Sequence, residues 1–159
     1  MTSSNFERKS LSIDVHTHVL PKSWPNGKDR YGYPGWISLR DFTEDGKKAT
    51  MYLDDKKFRD INSNCWCCDA REVDMNNTSV DVQVLSTVPV MFSYWAKAKD
   101  ALDLAVFVND DIADRVKANP KKYIGLGTVP LQDPDLAIKV YMYMYVCTYT
   151  YCFFFIDNL

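Results

Sequence analysis

Apolar and polar residues alternate near the start of the chain, in the run LSIDVHTHVL of residues 11–20. A repeat of two residues is typical of a β-strand with one buried face. Residues 80–88 form a β-branched run, and residues 123–126 form a third short apolar run. The pattern therefore predicts three strands, which are separated by longer stretches of a different periodicity.

Helical spacing appears between these strands. The segment 99–119 carries apolar residues three and four positions apart, which predicts one buried helix face: Ala101, Leu104, Val108, Ile112 and Val116. Pro120 ends this helix. A second helix is expected to begin at Asp133-Pro134, with Asp as the N-cap. Residues 70–79 predict a weaker, short helix that ends at Asn76-Asn77.

The stretch between the first two predicted strands differs from the rest of the chain in composition. A loop rich in glycine, proline and aromatic residues runs from Pro21 to Leu39, and two β-prone runs in residues 49–61 flank Asp54-Asp55-Lys56. These runs predict a β-hairpin. The remaining strands alternate with helices, which is typical of parallel β/α units. An eight-stranded barrel takes ~250 residues, so the 159 residues predict an incomplete TIM-type (β/α)8 barrel with an inserted β-hairpin near its first strand.

Composition changes abruptly near Val140. Residues 140–159 hold eight of the 22 aromatic residues and a single charge, Asp157. Residues 140–152 use only five residue types, whose codons can be drawn from a simple dinucleotide repeat. We therefore expect three regions: a disordered N-terminus (1–10), the N-terminal part of the barrel (11–139), and an aberrant tail (140–159) produced by read-through. A true strand, an amphipathic segment or a membrane tail anchor are the alternatives for this tail.

Charge and cysteine content exclude several classes of protein. The net charge of -2 gives no broad basic surface for nucleic acid. The first ten residues contain no apolar leader, so we expect a cytosolic protein without a membrane partner. Five cysteines are an odd number, which favours thiols over a disulfide framework. We interpret Cys65, Cys67 and Cys68 in the same way, with a second metal or redox site as the weaker alternative.

The chain contains only two histidines, His16 and His18, at the end of the first predicted strand. Residues two apart on a strand point to one face, so two imidazoles there can converge on one metal ion. Asp14 lies on the same predicted face and could orient a ligand. The alternative is two ordinary polar residues at a strand end.

The run from Ile13 to Pro21 resembles the opening strand of the metal-dependent amidohydrolase superfamily. Further motifs resemble those of zinc-dependent, non-oxidative decarboxylases of tryptophan catabolism within that superfamily: Trp24-Pro25, Arg30-Tyr31-Gly32-Tyr33, Gly35-Trp36, Asn64-Cys65-Trp66, Leu85–Trp95 and Gly125–Thr128. The resemblance spans about residues 11–139.

This resemblance implies a β/α barrel, a Zn²⁺ ion held by His16 and His18, a homodimer, and a small-molecule substrate that loses CO2 without oxygen or an organic cofactor. It also implies that Arg59, after Phe58 in the inserted hairpin, binds a substrate carboxylate, and that Phe92 and Trp95 wall the pocket. From the residues alone, Arg59 could be a solvated hairpin charge, and both aromatic residues could be core or loop anchors.

The chain departs from this pattern in one important respect. The superfamily's third histidine ligand, its catalytic histidine and its metal-binding aspartate have no counterpart, so no catalytic residue is expected among these 159 residues. Catalytic zinc usually has three protein ligands. We therefore expect the chain alone to be inactive. The alternatives are another amidohydrolase-like hydrolase, a benzoate-type decarboxylase, or a non-catalytic product that pairs with a full-length copy.

Overall fold

The computed structural model describes residues 10–147 and 151–152. Its strands and helices follow one another along the chain: β1 (Ile13–Val19), α1 (Gly27–Tyr31), β2 (Ile37–Arg40), β3 (Lys48–Leu53), β4 (Lys56–Asn62), α2 (Cys68–Asn77), β5 (Val82–Thr87), α3 (Ala98–Ala118), β6 (Tyr123–Gly127), α4 (Pro134–Cys147) and β7 (Tyr151–Cys152). Short 3-10 turns at Ser63–Cys65 and Pro89–Met91 precede α2 and α3.

A parallel sheet forms the centre of the fold, with the strand order β1-β5-β6-β7. Helix α2 connects β1 with β5, helix α3 connects β5 with β6, and α4 follows β6. The three strands and three helices predicted from periodicity are confirmed within a few residues of their expected bounds. Because β1 lies at one end of this order, the sheet is open rather than closed into a barrel.

The inserted segment is larger than the predicted hairpin. Strands β3 and β4 form that hairpin around Asp54 and Asp55, but β2 pairs antiparallel with β3 and completes a three-stranded sheet. The loop predicted from Pro21 to Leu39 also contains helix α1, which Asn26 caps by accepting hydrogen bonds from the backbone amides of Lys28 and Asp29. Both missed elements have five residues or fewer, which is too short for a periodic signal.

The hydrophobic core is divided between the two sheets and the helices. One cluster joins the inserted segment to α3, another packs the parallel sheet against α2 and α3, and a third fixes α4. Their buried members are Leu20, Trp36, Met91, Ala96, Ala101, Leu104 and Val108; Val19, Met75, Leu85, Ile112 and Tyr123; and Val129, Val140 and Met144. The face of α3 predicted from its spacing is therefore the buried one.

Two buried polar side chains of α3 fasten this helix to the loops around the sheet. The Arg115 guanidinium donates to Asp111, to the backbone oxygen of Trp66 at 3.0 Å and to that of Leu20 at 3.2 Å. Asn109 forms a pair of 2.8 Å hydrogen bonds with the backbone of Thr128. Both residues thereby hold the carboxyl ends of β1 and β6 in fixed positions.

Helix α4 continues into the tail whose composition is unusual. Asp133 caps it, as predicted, by accepting from the backbone amide of Leu136 at 3.0 Å. Val140 and Met144, one helical turn apart, are buried. The strand alternative is therefore wrong up to Cys147, whereas residues 151–152 pair in parallel with β6. Residues 1–9, 148–150 and 153–159 lie outside the described part, so the predictions of a disordered start and of read-through remain predictions there.

Candidate metal and substrate site

The predicted metal ligands lie toward the carboxyl end of β1. His16 and His18 belong to the last half of β1, and Ser86 occupies the equivalent position near the end of β5. Neighbouring parallel strands end at the same edge of a sheet. This edge is where active sites are built in β/α barrels.

The two imidazole rings are close together. Their centroids are 5.2 Å apart, and the ring planes are nearly perpendicular, at 89°. His16 is exposed and His18 is half-buried. A ligand nitrogen lies ~2.1 Å from a bound zinc ion, so two rings at this separation can share one ion.

Strand β1 is irregular just before this pair. Its pairing with β5 shifts between Asp14 and Thr17, so the strict two-residue alternation used to predict a shared face is interrupted there. The Asp14 carboxylate accepts a hydrogen bond from the backbone amide of His16 at 3.1 Å. Asp14 thus holds the backbone of a predicted ligand, and its role toward a metal stays a prediction.

His18 also makes a side-chain contact with the neighbouring strand. Its Nδ1 lies 3.0 Å from the Oγ of Ser86, and this Oγ lies 3.0 Å from the backbone oxygen of Thr17. Ser86 is His18's register partner on β5 and is only 7% exposed. The ring orientation of His18 is therefore tied to the sheet.

Within the described residues, no group of three or more histidine, cysteine, aspartate or glutamate side chains could hold a metal ion. The histidine pair fits two positions of a metal site, because imidazole nitrogen is a preferred ligand of zinc and other divalent transition metals. A catalytic zinc site has about three protein ligands. The histidine pair alone is therefore one ligand short of such a site among the described residues.

Both predicted pocket aromatics lie in one open groove of about 430 Å³, between the inserted sheet and the segment after β5. Phe92 stacks on Tyr94, with ring centroids 5.6 Å apart. Trp95 packs over Gly35, where a Cβ atom would lie 2.6 Å from the indole ring and where φ is +109°. Only glycine permits this approach, so the wall formed by Trp95 depends on Gly35.

Arg59 is exposed on β4, next to this groove but not among its lining residues. Its guanidinium carbon lies 5.8 Å from the centroid of the Phe58 ring, which does line the groove. The β3–β4 pairing shifts beside this point, so Phe58 is an extra residue in the ladder. Such bulges redirect side chains next to active sites.

The cysteines of the C-x-x-C segment do not join the histidine pair in a group of three or more potential metal ligands within the described residues. Cys65, Cys67 and Cys68 are free, half-buried thiols. Burial raises the pKa of the Cys65 thiol above its usual value. A raised pKa lowers the thiolate fraction, and the thiolate is the form that binds metals and reacts. The interpretation of Cys65 as an ordinary thiol therefore agrees with its surroundings.

Sequence comparison extends these observations to known proteins. A curated protein of Dictyostelium discoideum, 2-amino-3-carboxymuconate-6-semialdehyde decarboxylase, is 56% identical over 131 residues, or 82% of this chain. The Caenorhabditis elegans protein of the same name is 47% identical over 84% of this chain. The chain is similar to these decarboxylases over most of its own length. It spans about a third of their length, 36% and 33% respectively. No protein-family model matches the sequence.

Solved structures share the fold of this chain. The Metarhizium anisopliae IDCase is 18% identical with a TM-score of 0.68, over 89% of this chain and 41% of that one. A dihydroxybenzoic acid decarboxylase from a Polaromonas species, solved with manganese and 2-nitroresorcinol, is 19% identical with a TM-score of 0.60, over 88% and 36%. The predicted fold class, an incomplete amidohydrolase-like TIM-type barrel, is confirmed.

One residue of this candidate site, Ser86, was not predicted from the sequence. Ser86 lies within a motif that carried the resemblance, but its contact with His18 depends on the β1–β5 register. That register contains a bulge, and no hydrophobic pattern encodes its position. A polar residue near the carboxyl end of a neighbouring parallel strand is the signal that could have pointed to it.

Proposed function

We propose that the protein to which this chain belongs decarboxylates 2-amino-3-carboxymuconate 6-semialdehyde. The products are 2-aminomuconate semialdehyde and CO2, formed without an oxidant or an organic cofactor. The observation that supports this proposal most strongly is 56% identity to a decarboxylase of that name over 82% of this chain. In the cell this reaction would draw material away from quinolinate and NAD synthesis in tryptophan catabolism.

His16 and His18 would hold a divalent metal ion, with zinc as the proposed metal. Support comes from the 5.2 Å separation of their rings and from the manganese in one protein of the same fold. When bound, such an ion acts as a Lewis acid and promotes ionisation of water. Asp14 would support this site through the backbone of His16.

Arg59 would bind a carboxylate of the substrate. A guanidinium group is suited to this task because it donates two parallel hydrogen bonds to a carboxylate. The substrate's unsaturated body would lie in the groove lined by Phe92 and Trp95. This placement would orient the carboxylate that leaves as CO2 with respect to the histidine pair.

The 159-residue polypeptide by itself would not turn over substrate. It contains two histidines in total, and a catalytic zinc site needs about three protein ligands. We also propose that the active protein is cytosolic and dimeric, with neither nucleic acid nor membrane as a partner. Among the described helices, none is both long and apolar enough to cross a membrane.

A benzoate-type decarboxylase is the second candidate. A 5-carboxyvanillate decarboxylase from Sphingomonas paucimobilis is 28% identical with a TM-score of 0.50, over 54% of this chain and 26% of that one. Identity to the muconate semialdehyde decarboxylases is about twice as high and covers more of the chain. The muconate substrate is therefore the better-supported proposal.

A chimeric enzyme tests the proposed function. The segment of this chain that matches the Dictyostelium decarboxylase replaces the corresponding segment of that enzyme, which supplies the rest of the barrel. We expect CO2 release from 2-amino-3-carboxymuconate 6-semialdehyde and none from 5-carboxyvanillate. A folded chimera that decarboxylates only the aromatic acid would contradict the proposal.

A further inference from the structure

Ser86 is buried beside His18, one of the two proposed metal ligands. It stands directly opposite His18 in the register of β1 and β5, and 7% of its surface is exposed. Its hydroxyl contacts two groups at 3.0 Å, the His18 Nδ1 and the backbone oxygen of Thr17. These two contacts determine where the hydroxyl proton of Ser86 points and which ring nitrogen of His18 carries a proton.

The direction of both hydrogen bonds follows from simple chemistry. A backbone carbonyl oxygen can only accept, so the single hydroxyl proton of Ser86 is donated to Thr17. The Ser86 oxygen must then accept a proton from the Nδ1–H of His18. A neutral imidazole carries one proton, so this arrangement places its lone pair on Nε2.

The backbone of this strand end is held from other directions as well. Arg71, a buried residue of α2, donates to the backbone oxygen of His18 at 2.7 Å and to the Gln83 side chain at 3.0 Å. The Thr17 hydroxyl donates to the backbone oxygen of Val84 at 2.9 Å. The backbone oxygen of Thr17, which accepts the hydrogen bond from Ser86, therefore has a fixed position.

We propose that Ser86 is a positioning residue that selects the Nδ1–H tautomer of His18 and so presents Nε2 to the metal ion. The inference rests on the proposed metal-binding role of His18. A ring nitrogen that donates to an oxygen acceptor fixes both the tautomer and the ring orientation of a metal ligand. Here the acceptor is the hydroxyl oxygen of Ser86 on the neighbouring strand, and this hydroxyl in turn donates its own proton to the backbone oxygen of Thr17.

Nitrogen NMR of the full 159-residue chain tests this directly. Histidine labelled with ¹⁵N gives signals from two residues only, and a His16→Ala variant assigns those of His18. Magic-angle spinning of the sedimented protein removes the need for high solubility. At about pH 8.5 an imidazole of ordinary pKa is neutral. We expect the Nδ1–H tautomer in the unsubstituted chain and a shift toward the Nε2–H tautomer in Ser86→Ala.

Thr87→Val is the matched control. Thr87 is the next residue on β5 and is 2% exposed, and its hydroxyl makes no hydrogen bond to any of the described residues. Its replacement removes a buried hydroxyl without touching His18, so the tautomer should stay unchanged. If Ser86→Ala does not fold, Ser86→Cys provides the same test, because sulfur is a weak acceptor. Retention of the original tautomer in the folded variant would overturn the inference.

A zinc titration followed at the His18 nitrogen signals separates this inference from the metal proposal. Loss of a partner of this kind weakens metal binding roughly 10–100-fold, so we expect at least a tenfold higher dissociation constant in Ser86→Ala and no change in Thr87→Val. If zinc leaves His18 of the unsubstituted chain unaffected, the two histidines do not bind zinc without further ligands, while the tautomer comparison still decides the role of Ser86.

Discussion

At the scale of single residues, this chain places buried polar groups where strands end. Ser86 fixes a ring, Arg115 holds two loops, and Asn109 bridges a helix to the residue after β6. Each forms a hydrogen bond with a backbone group near or just beyond the end of a strand. A buried backbone group that loses its hydrogen-bond partner costs free energy, so removal of one of these side chains should destabilise the structure around it.

Asn109→Ala should release the end of β6. The substitution leaves both the amide and the carbonyl of Thr128 without their 2.8 Å partners. An unpaired buried group costs about 1–3 kcal/mol, which corresponds to roughly 10–100-fold faster hydrogen exchange at the Thr128 amide. Exchange measured by mass spectrometry or NMR checks this. Asn76→Ala, at an exposed position of α2, is the control, and equal exchange at Thr128 in both variants would contradict the prediction.

Arg59→Ala should impair the chimeric enzyme through substrate binding. Loss of a charge-assisted pair with a carboxylate is expected to lower kcat/KM roughly 10–100-fold. Arg59→Lys keeps the charge but not the paired donors, so it should recover only part of the loss. Steady-state kinetics on the muconate semialdehyde measures both. Unchanged kcat/KM in Arg59→Ala would show that the substrate assignment is wrong.

At the scale of elements, the sequence predicts what is periodic and misses what depends on pairing. The apolar spacing in α3 and the β-branched run of β5 were sufficient to predict these two elements, because each element buries a continuous face. Strand β2 has four residues and exists through its pairing with β3, and the bulge in β1 follows from its register with β5. Composition also predicted a boundary between regions near Val140. Helix α4 continues across this position, and Val140 and Met144 within it are buried.

Helix α1 is attached to α3 by one carboxylate, which makes its attachment dependent on pH. Asp103 accepts hydrogen bonds from Arg30 and Tyr31. The Arg30 guanidinium holds the pKa of Asp103 below its usual value. Its stabilising contribution is therefore present above the unfolded pKa of about 3.9 and is lost as the pH falls through the lower folded value.

Asp103→Asn should consequently speed hydrogen exchange in α1 at neutral pH. The difference from the unsubstituted chain should shrink as the pH falls below the unfolded pKa of about 3.9, and it should vanish once the pH passes the lower folded value. Exchange rates, corrected for intrinsic pH effects, provide the measurement. Asp114→Asn, at an exposed position of the same helix α3, is the control. A difference that persists undiminished in acid would contradict the role of this charge.

At the scale of the whole molecule, no described strand or helix covers the free edge of β1. Leu11, Ile13 and Val15 are 63%, 46% and 67% exposed, which is unusual for alternating apolar residues of a strand. Within the described residues β1 pairs only with β5. An edge strand with exposed apolar residues favours association with other chains.

We therefore expect the isolated 159-residue chain to be poorly soluble and to unfold over a broad temperature range. Val15→Lys should raise the soluble fraction, because a charge on an edge strand opposes edge-to-edge pairing. Val73→Lys is the matched control, since Val73 is 58% exposed on helix α2 and lies away from that edge. Centrifugation and thermal scans measure both properties. A soluble monomer with a sharp transition would contradict the expectation.

The histidine pair on β1 is the central claim, and the metal content of the chimeric enzyme tests it most directly. Elemental analysis after dialysis should find one divalent ion per barrel in the chimera, with zinc preferred when several metals are supplied. His16→Ala combined with His18→Ala should remove it, whereas the folded Val73→Lys chimera should retain it. Full metal occupancy in the double histidine variant would show that these two imidazoles are not ligands.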